Sequence, residues 1–143
     1  QTEFLKTLLD QKKMTLHNGS SLTVTYHDSC YLGRYNQIYE PQREILKAIP
    51  GVTLKEMERS HDRSFCCGGG GGRMWMEEHQ GKRINEMRVD QALALQPDVI
   101  ATACPYCLTM LEDGLKARGK DDSVKVYDIA ELLERSISGT GVK

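Results

Sequence analysis

The residues best suited to chemistry are five cysteines in three places: Cys30 alone, Cys66 and Cys67 side by side, and Cys104 with Cys107 in a Cys-Pro-Tyr-Cys stretch. Thiolates hold zinc and iron–sulfur clusters, and they are the nucleophiles of disulfide exchange. Two cysteines separated by two residues can turn both sulfurs toward one ion. Adjacent cysteines diverge, and they grip different metals of a polynuclear centre more readily than one small tetrahedral ion. Zinc takes four ligands, whereas five thiols are on offer. Both points favour an iron–sulfur centre. A structural zinc site using Cys66, Cys67, Cys104 and Cys107, or a set that includes Cys30, is a second reading. A thiol–disulfide oxidoreductase using Cys104 and Cys107 is a third, because a helix opening at that pair lowers a thiol pKa. The third leaves Cys30, Cys66 and Cys67 without a role. An odd cysteine count with no visible secretion signal argues against a disulfide framework.

Gly68 to Gly72 follow the adjacent pair without interruption. Glycine permits positive φ and a close approach of backbone N–H groups, which are the donors that tune cluster sulfurs. Gly68 and Gly69 are candidates for that task, against the plain alternative of a flexible linker. Nucleotide binding is disfavoured, since the run lacks the Lys-Ser/Thr ending of a phosphate loop. His27, with Asp28 beside Cys30, is a candidate hydrogen-bond donor or proton carrier near the sulfurs; the alternative is a histidine bonded to loop backbone. Arg34 and Arg73 suit neutralisation of a negative centre or plain surface positions. Met74 and Trp75 are expected in the core. His61 and His79 receive no role.

These residues need a scaffold. Apolar spacing predicts a helix over 2–12, a turn at 17–21 and a strand over 22–26. A helix over 41–48 starts at Pro41 and is ended by Pro50-Gly51. Alternation predicts a strand over 52–58, and a long helix is expected over 74–95. A strand at 98–103, a helix over 105–117, a strand over 124–128 and a helix over 129–137 complete the pattern. Such alternation predicts an α/β fold, a small mainly parallel sheet flanked by helices. Each cysteine group then follows a strand, so the cysteine loops gather at one sheet edge, where open α/β sheets bind ligands.

The length of 143 residues suits one compact domain, with an N-terminal helix and turn at 1–21, a cysteine-rich domain at 22–137 and a flexible tail at 138–143. A formal charge of −1 and the absence of a basic stripe argue against a nucleic-acid binder. Apolar runs are too short to cross a bilayer, so no direct membrane insertion by this segment is expected. The chain begins at Gln1, and it is expected to be a piece of a longer polypeptide.

The pattern of one cysteine, 35 residues, Cys66-Cys67-Gly68, 35 residues and the Cys104–Cys107 pair resembles the cysteine-rich CCG domain family. The stretches HDSCYLGRYN, FCCGGGGGRMW and ATACPYCLTMLEDGLK carry the likeness, over about residues 22–136. The family includes a subunit of heterodisulfide reductase and related iron–sulfur oxidoreductases. The resemblance implies a [4Fe-4S] centre, non-cubane and held by five cysteines in some members. Its ligands here would be Cys30, Cys66, Cys67, Cys104 and Cys107. It further implies an electron-transfer station of a larger oxidoreductase facing the cytoplasm. Its partners would be electron-transfer flavoprotein or a flavin dehydrogenase, a quinone pool, and the iron–sulfur and membrane parts of a parent chain or complex. Two departures stand out. The heterodisulfide reductase polypeptide carries two CCG motifs and this chain one, and Ser29 stands where many relatives have proline.

Overall fold

The computed structural model describes residues 1–17, 19, 21–77 and 81–140. The chain runs α1 (Thr2–Asp10), β1 (Leu22–Tyr26), α2 (Glu40–Ala48), β2 (Val52–Lys55), α3 (Ile84–Leu93), β3 (Val99–Thr102), α4 (Pro105–Ala117), β4 (Lys125–Asp128) and α5 (Ile129–Ser138). Short 3₁₀ turns cover His61–Arg63 and Gly70–Trp75. The four strands form one parallel sheet in the order β2-β1-β3-β4. Parallel strands are buried on both faces. Here Leu22, Val24, Tyr26, Val99 and Ala101 pack with Ile45 and Leu46 of α2 and Ile129, Leu132 and Leu133 of α5. Ile100 and Val126 point the other way, onto Val89 and Ala92 of α3 and Leu111 and Leu115 of α4. The predicted α/β class and parallel sheet are thus what the chain adopts.

Strand order has a consequence for ligands. From β1 the chain winds outward to β2, then returns to β3 and winds the opposite way to β4. The order therefore reverses between β1 and β3, and a crevice opens beyond their carboxyl ends. His27 to Cys30 leave β1 into that crevice, and Ala103 and Cys104 leave β3 into it.

The long helix expected over 74–95 is corrected. Met74 and Trp75 close a 3₁₀ turn, Met76 is extended (φ −99°, ψ 138°), Gly81 has φ +74°, and only at Ile84 does the α-helix begin. Left-handed backbone at Gly81 and extended backbone at Met76 and Arg83 cannot continue an α-helix. Residues 78–80, and with them His79, lie outside the described residues, as do 18 and 20 of the expected turn and 141–143 of the expected tail.

Close packing of α3 on α4 depends on Gly114. A Cβ there would lie 2.7 Å from Val89 Cγ2 and 3.1 Å from the Asn85 carbonyl oxygen. Gly114→Ala is expected to destabilise the fold by about 1–3 kcal/mol through overpacking. A urea midpoint equal to that of the parent chain would contradict the close approach.

Candidate metal centre

Beyond β1 and β3 four thiols form a row of contacts, Cys66 to Cys67 to Cys107 to Cys104. Cys67 is hydrogen-bonded with Cys107 and Cys66, and Cys107 also with Cys104. The Gly68 backbone N–H donates to Cys66 Sγ at 3.2 Å. Cys67 and Cys107 are buried, Cys66 and Cys104 half-buried, and Cys30 is exposed. Cys30 nevertheless shares a cleft of about 620 Å³ with Cys67, Cys104 and Cys107. Gly69 to Gly72, Met74, Trp75, Tyr31 and Tyr106 form much of its remaining wall. Cys66 borders the smaller recess behind, with Cys30, Cys67, Cys107 and His27.

Local structure explains these positions. Cys104 is the N-cap of α4, Pro105 supplies the first helical φ, and Cys107 falls within the first turn, facing inward against Met110. Hydrogen bonding with Cys107 is the main influence that brings the Cys104 thiol down to about 6; burial opposes it, and the Cys107 and Tyr106 backbone N–H groups assist. Hydrogen bonds from Cys107 and Cys66, with His27 and the Gly69 backbone adding to them, hold Cys67 far below the usual thiol range despite its burial. Cys107 moves upward through its contacts with the Cys104 and Cys67 sulfurs, and Cys66 through its contact with Cys67, with burial adding to both. Cys67 is therefore the favoured seat of negative charge.

A salt-bridge network fixes the loops that carry the thiols. Arg43 of α2 pairs with Asp28 through two bonds of 2.8 and 2.9 Å and with Glu56 through two of 2.7 and 3.0 Å. Asp28 also accepts the His61 backbone N–H at 2.8 Å. Burial pushes the Asp28 carboxyl up, but the Arg43 and His61 hydrogen bonds outweigh it and hold the group below its ordinary 3.8. The loop after β1 is thereby joined to the segment leading to Cys66. Arg34 donates to the Ser64 carbonyl oxygen and strengthens the same junction.

His27 is buried, and its ring contacts Cys67 on one side and Arg88 on the other. Burial lowers its pKa, with the Cys67 hydrogen bond opposing and the Arg88 charge assisting. Both of these ring contacts are to side chains, not to loop backbone. Gly68 has φ +87°, a conformation that side chains avoid, and a Cβ at Gly69 would sit 3.2 Å from Met110 Cγ. Arg73 is not among the residues that line the thiol cleft; it borders a separate recess with Gly68, Arg83 and Met110. Trp75 is corrected: it is 82% exposed, because the kink at Gly71 and Gly72 (φ +64° and +74°) turns it out of the core. Met74 does pack against the cysteines.

Arg43 and Arg88 were not singled out by sequence reasoning. A signal was available. Buried positions of α3 are Asn85, Arg88, Val89 and Ala92, so Arg88 lies on the helix's inward stripe, where a cation is unusual. Arg43 likewise stands between buried Gln42 and Ile45.

An all-sulfur donor set of this kind suits soft metals and iron–sulfur clusters. The cleft has room beside it: a Cβ at Gly70, Gly71 or Gly72 would meet nothing within 4 Å. Residues 24–112 match the model of the CCG cysteine-rich domain. The chain is 57% identical over 142 residues to "Probable iron-sulfur-binding oxidoreductase FadF" of Bacillus subtilis, covering 99% of this chain and 20% of that protein. It is 45% identical to the "EtfAB:quinone oxidoreductase" of Syntrophomonas wolfei, covering 95% of this chain and 20% of that protein. Identity is 38% to a subunit of the dihydromethanophenazine:CoB--CoM heterodisulfide reductase of Methanosarcina acetivorans, covering 95% of this chain and 33% of that protein. The chain thus spans a fifth to a third of the length of these relatives. No solved structure matches it.

Proposed function

The chain belongs to the CCG cysteine-rich domain family, and from that premise we propose that it is an iron–sulfur electron-transfer domain of a larger heterodisulfide-reductase-like oxidoreductase. One observation carries the reading: four thiols in a row of contacts, Cys66 to Cys67 to Cys107 to Cys104, at the switch point of a parallel sheet, with a fifth on the same cleft. Cys30, Cys66, Cys67, Cys104 and Cys107 are the proposed ligands. The proposed group is a [4Fe-4S] cluster, non-cubane when all five ligate. Such a cluster, when bound, supplies one-electron transfer at a potential governed by charge, burial and hydrogen bonds to its sulfurs.

The chain's own groups suit that task. Buried Cys67 and Cys107 anchor the inner side, where water is excluded. Backbone N–H groups of Gly68 and Gly69 reach Cys66 and Cys67 respectively. Exposed Cys30 and the open cleft leave the outer side near the surface, which favours exchange of electrons with another protein. The name of the Bacillus relative, an iron-sulfur-binding oxidoreductase, favours iron over zinc. A lone Cys104–Cys107 redox pair accounts poorly for Cys107 being bonded to Cys67 as well.

In this reading the partners are electron-transfer flavoprotein or a flavin dehydrogenase on one side and a quinone pool on the other; the Syntrophomonas relative's name, an EtfAB:quinone oxidoreductase, supports the first and the last of these. Among the described residues no helix is long and apolar enough to cross a membrane. Attachment to the cytoplasmic face of a membrane would therefore come through other parts of the parent chain or complex. The test is a redox cycle. Anaerobically reconstituted chain is expected to bleach with dithionite and recover its visible absorption with a soluble quinone. A chromophore that bleaches and does not recover would sink the electron-transfer role.

A further inference from the structure

Arg88 is wholly buried, yet its hydrogen bonds go to neutral acceptors. Nε donates to His27 Nδ1 at 3.0 Å, and Nη1 to the Arg59 carbonyl at 2.9 Å and Gln91 Oε1 at 2.8 Å. Nη2 reaches Ser64 Oγ at 3.4 Å. Asp28, a carboxylate in its neighbourhood, is already taken by Arg43 in a two-point pair. A buried cation without a directly paired anion is costly, so its position calls for negative charge close by. Cys67 and Cys107 are the groups that lie across His27 from it.

The contact also decides where the imidazole proton sits. A guanidinium carries donors and no acceptor, so His27 Nδ1 must be the accepting nitrogen. Neutral imidazole then has its proton on Nε2. One ring nitrogen lies within 4.8 Å of both Cys67 Sγ and Cys107 Sγ, and the ring is hydrogen-bonded to Cys67. Because Nδ1 accepts from Arg88, the sulfur contact is assigned to Nε2, as an N–H donor. A nitrogen bearing a proton cannot ligate a metal.

We propose that Arg88 is a positioning residue that locks His27 as a hydrogen-bond donor to the Cys67 sulfur, which keeps His27 out of the ligand set and favours the reduced centre. The last part rests on the iron–sulfur reading; the tautomer does not. N–H donation to a sulfur stabilises the added electron, and the fixed charge of Arg88 acts in the same direction.

The experiment is nitrogen-15 NMR of histidine-labelled, metal-free full chain, followed by redox titration after reconstitution. In the parent chain, His27 is expected with a protonated Nε2 and an unprotonated Nδ1. Protonation at Nδ1, at a pH where the imidazole is neutral, would overturn the proposal without any variant. Arg88→Met is expected to release the tautomer, and Arg88→Lys, which keeps a donor, to restore it in part. After reconstitution, Arg88→Met should lower the ratio of reduced to oxidised centre at the parent midpoint potential about tenfold, equivalent to about 59 mV for one electron. A folded Arg88→Met with unchanged tautomer and unchanged midpoint would overturn the proposal; if that variant does not fold, the parent spectrum and Arg88→Lys decide. A parent chain that takes up no cluster would count against the proposed function and the effect on potential, while the tautomer result would stand.

Discussion

Cys67→Ser abolishes cluster uptake while leaving the chain folded: affinity for the assembled centre is expected to fall by more than about 100-fold. Loss of a group that merely supports a ligand costs about 10- to 100-fold, so loss of a central ligand sets a higher floor. Cys67 is the thiol to which Cys107, Cys66 and His27 all turn, and it is the one held most strongly as an anion. A serine hydroxyl in the same place is a harder donor and stays protonated at neutral pH. Iron remaining after anaerobic reconstitution and desalting measures the effect, with circular dichroism to verify folding. Cys30→Ser should do less damage, because Cys30 is exposed and makes no hydrogen bond with Cys67 or Cys107, the two buried thiols. Equal iron in Cys67→Ser and the parent chain would refute the proposed ligand set.

The largest effect on stability is expected at Arg43. Arg43→Met would leave Asp28 buried without its cation and Glu56 without its partner, and breaking a buried pair from one side costs about 3–5 kcal/mol. Urea unfolding at neutral pH measures this. The pH dependence carries a second signature. Asp28 has a folded-state pKa below its ordinary 3.8, so its contribution is complete above that value and is lost as the pH falls through the depressed folded value. The parent chain should therefore lose stability on acidification below about pH 4, and Arg43→Met should lose less over that interval. Identical acid profiles would show that the Asp28–Arg43 pair contributes nothing to folding.

Much of this architecture was legible because its signals were local. Pro105 after Cys104 marks the start of α4, and the apolar residues of 129–137 carry the inward stripe of α5. The run at 22–26 is β1 to the residue. Residues 74–95 misled because their apolar content, spread over a long stretch, looks helical, while Gly81 and the turns before Ile84 prevent one continuous helix. The five cysteines could be grouped from spacing, and the resemblance pointed to their role. Strand order could not be read from spacing, since which strand neighbours which depends on how the crossovers wind. That order is what makes the ends of β1 and β3 a crevice. Arg43 and Arg88 escaped notice for a related reason. Each is a single charge in a helix, and only the tertiary packing shows that Arg43 ties two strand ends together and that Arg88 stands behind His27.

Trp75 shows the same limit from the opposite direction. An indole next to a glycine run is ordinarily core, yet the left-handed backbone of Gly71 and Gly72 presents it at the mouth of the thiol cleft. With exposed Tyr31 and Tyr106, it gives the cleft an aromatic rim.

The central claim is that these cysteines hold a polynuclear iron–sulfur centre, and the measurement that bears on it most directly is the metal and sulfide content of the chain after anaerobic reconstitution. About four irons and about four acid-labile sulfides per chain, with a brown chromophore that dithionite reduces, is the predicted result. A colourless protein that binds a single zinc through four thiols and no sulfide would contradict it.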